Sequence, residues 1–169
     1  MSATHKYIKE MTELLRESTC GLSVDYLLAL ENGISWDKSR FEKYGEIGDC
    51  HFNAMQMALQ HGWLYAEGWA VFSEGLHPQE HAWCVDGKGS VIDPTWANGH
   101  DYFGVVFELD FALYVTNETG FYGIFPNLHL LIGEGKKKKT SAEILAYLKT
   151  GVCSFNGETK TDVGGENQR

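Results

Sequence analysis

The sequence predicts an α+β fold in which helices come before an antiparallel sheet. Apolar residues recur at helical spacing in the N-terminal third, and beyond residue 64 the pattern changes to short apolar runs that are typical of strands. The turn sequence Asp86-Gly-Lys-Gly89 separates two of these runs. Helices followed by an antiparallel meander indicate a layered α+β architecture.

Two short helices are predicted near the N-terminus. Residues at helical spacing mark the first one: Tyr7, Ile8, Met11, Leu14 and Leu15. The second covers residues 23–30, after a break at Cys20-Gly21. Residues 31–48 are rich in Gly, Asp, Ser and Lys, so we expect a connecting loop there, and this loop contains Trp36 and Tyr44.

The third helix is predicted from Cys50 to His61. Asp49 is its expected N-cap, because a short acidic side chain can accept hydrogen bonds from the first backbone N–H groups. Gly62 is the expected stop, because glycine readily adopts the left-handed conformation that ends many helices. Cys50 is therefore placed in the first turn of a helix.

Strands are expected at residues 64–72, 80–85 and 90–93, and a further strand at residues 102–107. Residues 107–115 fit a strand and a helix equally well. The charge run Lys136 to Lys139 predicts a solvated loop, in preference to an anion site, ahead of a short helix capped by Ser141. We predict one domain over residues 1–156 and a disordered, glycine-rich tail over residues 157–169.

Composition limits the partners and the compartment. The chain of 169 residues carries 14 basic and 23 acidic residues, a net charge of -9, which repels nucleic acid and anionic lipid. Its four cysteines, Cys20, Cys50, Cys84 and Cys153, are far apart and are typical of free thiols in a reducing compartment. The N-terminus has no continuous apolar region, so we expect a cytoplasmic protein that binds neither membrane nor nucleic acid. The oligomeric state stays open.

Cys50 is the first candidate for chemistry. A helix N-terminus favours a thiolate and can also stabilise an oxyanion, because its backbone N–H groups are unpaired. Nucleophilic cysteine chemistry further requires an imidazole, and a carboxylate or amide that orients it. His81 and Asp93 follow Cys50 in the sequence and can supply these two groups. On position alone, a buried structural cysteine remains the alternative.

The hairpin between His81 and Asp93 decides whether they meet. If Val85 pairs with Gly89 across a three-residue loop, His81 lies directly opposite Asp93 on one face of the sheet. A two-residue loop that pairs Asp86 with Gly89 sends the two side chains to opposite faces. Gly89 suits the bulge that accompanies three-residue loops, so we predict the first register.

Four blocks of sequence follow one another around these residues: Cys50-His-Phe-Asn-Ala, Tyr65-Ala-Glu-Gly-Trp-Ala, His81-Ala-Trp and Val91-Ile-Asp-Pro-Thr-Trp96. Together they resemble the core of the transglutaminase-like superfamily, within the wider group of papain-like cysteine hydrolases. The resemblance covers about residues 48–96. It implies a catalytic helix packed on an antiparallel sheet, with Cys50 as nucleophile, His81 as general base and acid, and Asp93 as the orienting carboxylate.

The same resemblance implies roles for neighbouring residues. Asn53, Trp83 and Trp96 would line a substrate groove or support the catalytic residues, although both tryptophans also suit the core. The Cys50 N–H would give one contact to the oxyanion, and Trp36 and Tyr44 are the two candidates for the second. We expect no cofactor and no metal. His77 and His81 are separated by Pro78, which prevents the helix that would align them on a metal.

These features predict a cysteine-dependent acyl-transfer enzyme that acts on an amide or peptide carbonyl through a thioester. Hydrolysis, as a protease, deamidase or amidase, is expected rather than cross-linking, because so small a domain leaves little room for a second protein substrate. The substrate would be a peptide, a protein or a small amide. The alternative is a catalytically idle binding module of the same fold, with residues 102–125 as its interface. A metal-binding regulator that uses Cys50, His51 and Cys84 is disfavoured, because neighbouring side chains on a helix should point apart.

Overall fold

The computed structural model describes residues 1–17, 24–132 and 140–153, which form a mixed α+β fold. The helices are α1 (Ala3–Glu17), α2 (Val24–Asn32), α3 (Cys50–His61), α4 (Leu109–Thr119), α5 (Leu128–Ile132) and α6 (Ser141–Lys149). The strands are β1 (Ile34–Phe41), β2 (Leu64–Val71), β3 (Gln79–Val85), β4 (Val91–Asp93) and β5 (His100–Phe107). The predicted break at Cys20-Gly21, the lysine run and the tail all lie outside the described residues.

The five strands close into a barrel in the order β1-β4-β3-β2-β5. The neighbours β4-β3, β3-β2 and β2-β5 pair antiparallel, as the meander prediction requires. β1 completes the barrel, since it pairs parallel with β4 on one side and antiparallel with β5 on the other. Every strand of the barrel therefore has two neighbours.

The prediction of a loop over residues 31–48 was wrong, because this segment contains β1. The sequence Ile-Ser-Trp-Asp-Lys-Ser-Arg-Phe is too polar to show a strand pattern. Its conformation is set by partners more than fifty residues away: Ser39 pairs with Val91, and Trp36 pairs with Tyr102. Pairing between distant strands leaves no local signal in the sequence.

The other elements follow the predictions closely. The first two helices, the three meander strands and the strand ending at Phe107 are present. Residues 109–115, for which strand and helix were both open, belong to helix α4. The N-cap of α6 is Thr140 rather than Ser141, since Thr140 and Glu143 form a reciprocal capping box. Helix α5 has no counterpart among the predicted elements.

Two apolar clusters cover the two faces of the sheet. Alternate residues of the strands fill the barrel interior: Ala66, Ala70, Trp83, Val85, Val91, Tyr102 and Val106. Gly68 and Gly104 face each other in the β2–β5 pair, and a side chain at either position would collide with the opposite backbone. The other face carries residues such as Tyr65 and Cys84, which pack against the helices in a larger cluster.

Helix α3 packs on the outer face of β3. Its position is fixed in part by a hydrogen bond in which the Cys84 thiol donates to the Ala54 carbonyl at 3.1 Å. The helix begins at Cys50 and ends at Gly62, which has a φ of 67° and donates its N–H to the Ala58 carbonyl, as predicted. Among the residues described, no helix combines the length and the apolar character needed to cross a membrane.

Candidate active site

Cys50 is a half-exposed free cysteine at the first position of α3. The unpaired N–H groups of this helix end surround it, as the sequence predicted. Asp49 is the N-cap residue, but its side chain makes no capping hydrogen bond. The helix end therefore keeps its N–H groups available for other acceptors, such as a thiolate or an oxyanion.

The chain that leads into Cys50 runs beside the residues that follow β4. Glu42 N–H donates to the Asp93 carbonyl at 3.1 Å, and Tyr44 N–H donates to the Pro94 carbonyl at 2.9 Å. Buried Asn53 ties the same segments together, because its side-chain amide donates to the Glu46 carbonyl at 2.8 Å and to Thr95 Oγ1 at 3.2 Å. Asn53 thus supports the loop before Cys50.

His81 and Asp93 are in contact. The His81 Nε2 atom lies 2.9 Å from Asp93 Oδ2, and neither side chain is exposed to solvent. The contact predicted from the hairpin is thus present, within direct hydrogen-bond distance. It lies on the strand face that lines the barrel, because His81 alternates with Trp83 and Val85 along β3.

The register that produces this contact differs from the predicted one. Val85 pairs with Val91 instead of Gly89, so the three-residue loop is 87–89. The Asp86 side chain moves the loop by one residue, because it accepts hydrogen bonds from the N–H groups of Lys88 and Ser90. The pairing partners therefore shift by two residues, which keeps every side chain on its predicted face. His81 reaches Asp93 diagonally rather than directly across the strand pair.

Asp93 is held by four hydrogen bonds. Its Oδ1 atom accepts the N–H groups of Thr95 and Trp96, both at 2.8 Å. Its Oδ2 atom accepts the Tyr102 hydroxyl at 2.6 Å and the imidazole of His81. Burial raises the pKa of Asp93, but the hydrogen bonds and the charge of His81 lower it by more, so the net pKa is below the usual value. The carboxylate is ionised at neutral pH.

The imidazole of His81 is oriented by this carboxylate. Because Asp93 Oδ2 accepts from Nε2, the Nδ1 atom is left for the thiol, and it has no hydrogen-bond partner among the described residues. Burial lowers the pKa of His81, yet the hydrogen bond to Asp93 and the interaction with Cys50 raise it by more. The charged imidazole is therefore favoured beside Cys50.

Trp96 covers one face of the His81 ring. The two ring centroids are 3.6 Å apart and the planes are within 2° of parallel. Trp83 is fully buried in the barrel and packs edge-on against Tyr102 and Trp36. Trp96 thus touches the imidazole face to face, whereas Trp83 supports the site from inside the core.

The two candidates for the second oxyanion donor differ in what they donate to. The Trp36 indole N–H donates to the Gly89 carbonyl at 3.1 Å, at the hairpin turn, so it is already engaged. The backbone N–H of Tyr44 is also used, and its ring packs against the core. The described contacts leave the Cys50 N–H as the donor that its position at the helix start makes available.

A surface cavity of about 420 Å³ lies beside the site. Phe72, which packs on Trp96 with ring centroids 5.3 Å apart, is one of its walls. The remaining lining residues are Ser73, Glu74, Asn98 and His100. Phe72 therefore lies between this cavity and the His81–Trp96 stack.

Three residues of the site were missed by the sequence argument. Tyr102 was assigned only to a strand, but its hydroxyl binds Asp93. His51 was expected to point away from Cys50, yet His51 Nδ1 lies 3.4 Å from Cys50 Sγ. Glu67 lies in the strand predicted over residues 64–72, and it is completely buried. Its position within the apolar run Tyr65-Ala-Glu-Gly-Trp-Ala was the available signal.

The other described cysteines differ from Cys50. Burial raises the pKa of Cys84 to about 12, and burial together with Glu108 raises the pKa of Cys153 to about 11. Both remain thiols at neutral pH. In the part of the chain that the structure describes, no three His, Cys, Asp or Glu side chains are grouped as a metal site.

Comparison with protein-family models, with curated proteins and with solved structures found no match for this chain.

Proposed function

We propose that this chain is a cysteine-dependent acyl-transfer enzyme with a transglutaminase-like core of the papain-like group. Cys50 is the nucleophile, His81 the general base and acid, and Asp93 the carboxylate that orients the imidazole. One observation supports this most strongly: a fully buried His81–Asp93 pair at 2.9 Å, beside a half-exposed cysteine at a helix start. Burial of an ionised pair is costly, so a pair of this kind is frequent at functional sites.

The first half-reaction forms a thioester. The Cys50 thiolate, whose proton has moved to His81 Nδ1, attacks the carbonyl carbon of an amide. The carbon–sulfur bond forms while the carbonyl π electrons move onto oxygen, where the Cys50 N–H stabilises the negative charge. The oxyanion then re-forms the carbonyl, the carbon–nitrogen bond breaks, and the leaving nitrogen takes the proton from His81. The products of this step are an amine and an acylated Cys50.

The second half-reaction restores the thiolate. Neutral His81 takes a proton from water, and the resulting hydroxide attacks the thioester carbonyl. The carbon–sulfur bond breaks with its electron pair on sulfur, which yields a carboxylic acid and the Cys50 thiolate beside a protonated imidazole. An amine in place of water gives a new amide. We propose hydrolysis of a peptide, protein or small amide as the reaction, in accordance with the small size of the domain.

The experiment that tests this proposal traps the acylated cysteine. The protein is incubated with a panel of peptide, glutamine and small-amide electrophiles, and adducts are located by mass spectrometry of proteolytic fragments. We expect an adduct on the fragment with Cys50 and none there in Cys50→Ala. Equal labelling of Cys50, Cys84 and Cys153 would contradict an activated nucleophile and would favour an idle binding module.

A further inference from the structure

A second imidazole contacts the proposed nucleophile. His51 follows Cys50 in α3, and its Nδ1 atom lies 3.4 Å from Cys50 Sγ. This is within hydrogen-bond distance for sulfur, and Cys50 also acts on His81, whose pKa it raises. The thiol therefore has two imidazole neighbours, of which His81 is the one that Asp93 orients.

The His51 ring is held in place by the loop before α5. Gly123 has a φ of 97°, and a Cβ atom at this position would lie 2.8 Å from the ring carbon Cδ2 of His51. The backbone therefore rests directly on the imidazole. Glu67 fixes the next part of this loop, because its carboxylate accepts the N–H groups of Ile124 at 2.6 Å and Phe125 at 2.8 Å. Only 17% of the His51 side chain is exposed.

The far nitrogen of His51 faces two carboxylates. Its Nε2 atom is buried and has no hydrogen-bond partner among the described residues, and it lies 3.8 Å from Glu67 Oε2 and 3.9 Å from Glu80 Oε1. A lone pair on Nε2 would be directed at carboxyl oxygens, whereas an N–H at Nε2 is attracted to them, most strongly to the Glu67 carboxylate. An imidazolium at His51 therefore matches the carboxylates at one nitrogen and a thiolate at the other.

We propose that His51 is a second catalytic imidazole, which keeps its proton and stabilises the Cys50 thiolate while His81 carries the proton to the leaving group. This inference rests on the proposed function. When His81 gives its proton to the leaving nitrogen, its imidazole becomes neutral, so the sulfur of Cys50 loses the positive charge on the His81 side. A proton kept on His51 beside Glu67 leaves a cation that has not reacted, and the thiolate that returns in the second half-reaction meets it.

Acidic groups on three elements act near His51. Glu67 on β2 supplies negative charge, whereas burial, Glu67 and Asp25 on α2 raise the pKa of Glu80 on β3 to about 7, so Glu80 adds its charge mainly above that pH. The Tyr65 hydroxyl donates to Glu67 at 2.7 Å and remains neutral, because burial and Glu67 raise its pKa well above the usual value.

The test measures the pH dependence of Cys50 alkylation by iodoacetamide, with the labelled fragment quantified by mass spectrometry. In His51→Gln, we expect the midpoint of thiolate formation to rise by about one pH unit, which slows labelling about tenfold at pH 6. His61→Gln is the matched control, since His61 is an exposed histidine at the other end of α3. In His61→Gln, the midpoint of Cys50 thiolate formation should equal that of the wild type.

A reciprocal measurement keeps the inference testable if His51→Gln does not fold. The imidazole nitrogens of His51 are titrated by NMR in the wild type and in Cys50→Ala. Because coupling between two titrating groups is mutual, we expect the His51 midpoint to fall by about one unit when the thiolate is removed. An unchanged His51 midpoint in Cys50→Ala would overturn the inference.

The outcomes separate this inference from the proposed function. An unchanged Cys50 midpoint in His51→Gln, together with a raised midpoint in His81→Gln, overturns the role of His51 and leaves the proposed function standing. Labelling of Cys50 that is no faster than that of Cys153, which is also partly exposed, contradicts the proposed function itself.

Discussion

The two imidazoles beside Cys50 lie on opposite faces of one sheet and differ in how they are held. His81 is fully buried on the barrel face, and its contact with Asp93 at 2.9 Å is a hydrogen bond. His51 lies on the helix face, where its carboxylate neighbours are 3.8 Å and 3.9 Å away. These longer distances allow Coulomb attraction without a hydrogen bond.

Partner geometry, rather than residue type, assigns the task of each histidine. A hydrogen bond at Nε2 fixes the tautomer and orientation of His81, which a group that transfers a proton requires. Carboxylates beyond hydrogen-bond distance favour a charge at His51 but do not select one geometry.

The largest contrast is expected in catalysis. His81→Gln should slow acylation of Cys50 by about 10²–10⁴-fold, because it removes the proton carrier. His51→Gln should slow it by about tenfold, because it removes one stabilising charge. The rates are compared by stopped-flow release of a chromogenic amine from an amide substrate that labels Cys50. Equal losses in the two variants would contradict the division of roles.

The second contrast is in stability. Asp93→Asn should cost about 3–5 kcal/mol of unfolding free energy, because it leaves a buried imidazole and several donors without their charged partner. Glu67→Gln should cost about 1–3 kcal/mol, because its amide NH₂ would face the N–H groups of Ile124 and Phe125. Urea unfolding measures both values. A smaller loss in Asp93→Asn than in Glu67→Gln would reverse the comparison.

The pH dependence of the Asp93→Asn effect follows from the two pKa shifts. The pKa of Asp93 is lowered, so its stabilisation is complete above its unfolded value of about 3.9 and is lost as the pH falls through the folded value. The pKa of His81 is raised, so its stabilisation is complete below about pH 6.5 and is lost as the pH rises through the folded value. The difference in unfolding free energy between the wild type and Asp93→Asn should be widest between about pH 4 and 6.5. A difference that grows steadily from pH 5 to 9 would contradict this.

The third contrast concerns the aromatic cover of His81. Trp96→Leu removes the stacked ring. It should lower the free energy of unfolding by about 0.5–1.5 kcal/mol more than the loss of buried area alone would. Trp63→Leu is the control, since Trp63 stacks on His61 instead, with ring centroids 4.3 Å apart. Only Trp96→Leu should also slow acylation, by about 2–10-fold. If both variants slow it alike, the stack has no specific role.

The smallest effect is expected at Glu80, on the His51 side. Burial, followed by the charge of Glu67, raises the pKa of Glu80 to about 7. A raised carboxyl pKa means that stability falls as the pH rises from about 4.5 to about 7, because the unfolded chain releases this proton first. Since 38% of the side chain is exposed, solvent screens the effect. Glu80→Gln should thus be more stable than the wild type by about 0.5–1 kcal/mol above pH 7 and equal to it near pH 4.

The features that were predicted from the sequence are those with local causes. Helix α3 was placed correctly, because a turn-forming start and Gly62 mark its two ends. The contact between His81 and Asp93 was anticipated from a hairpin of only a few residues. Its register was wrong by two residues, because the loop depends on hydrogen bonds of the Asp86 side chain that alternation of residues does not reveal.

The α+β class, the cysteine at a helix start and the strand face shared by His81 and Asp93 could all be predicted, since each follows from the period of an element or from a short turn. Tertiary contacts, in contrast, set the closure of the barrel by β1, the burial of Glu67 and the position of His51 against Cys50. These depend on strands and loops that are distant in the chain and meet only when the core is packed. The setting of the second imidazole therefore became visible only in the folded protein.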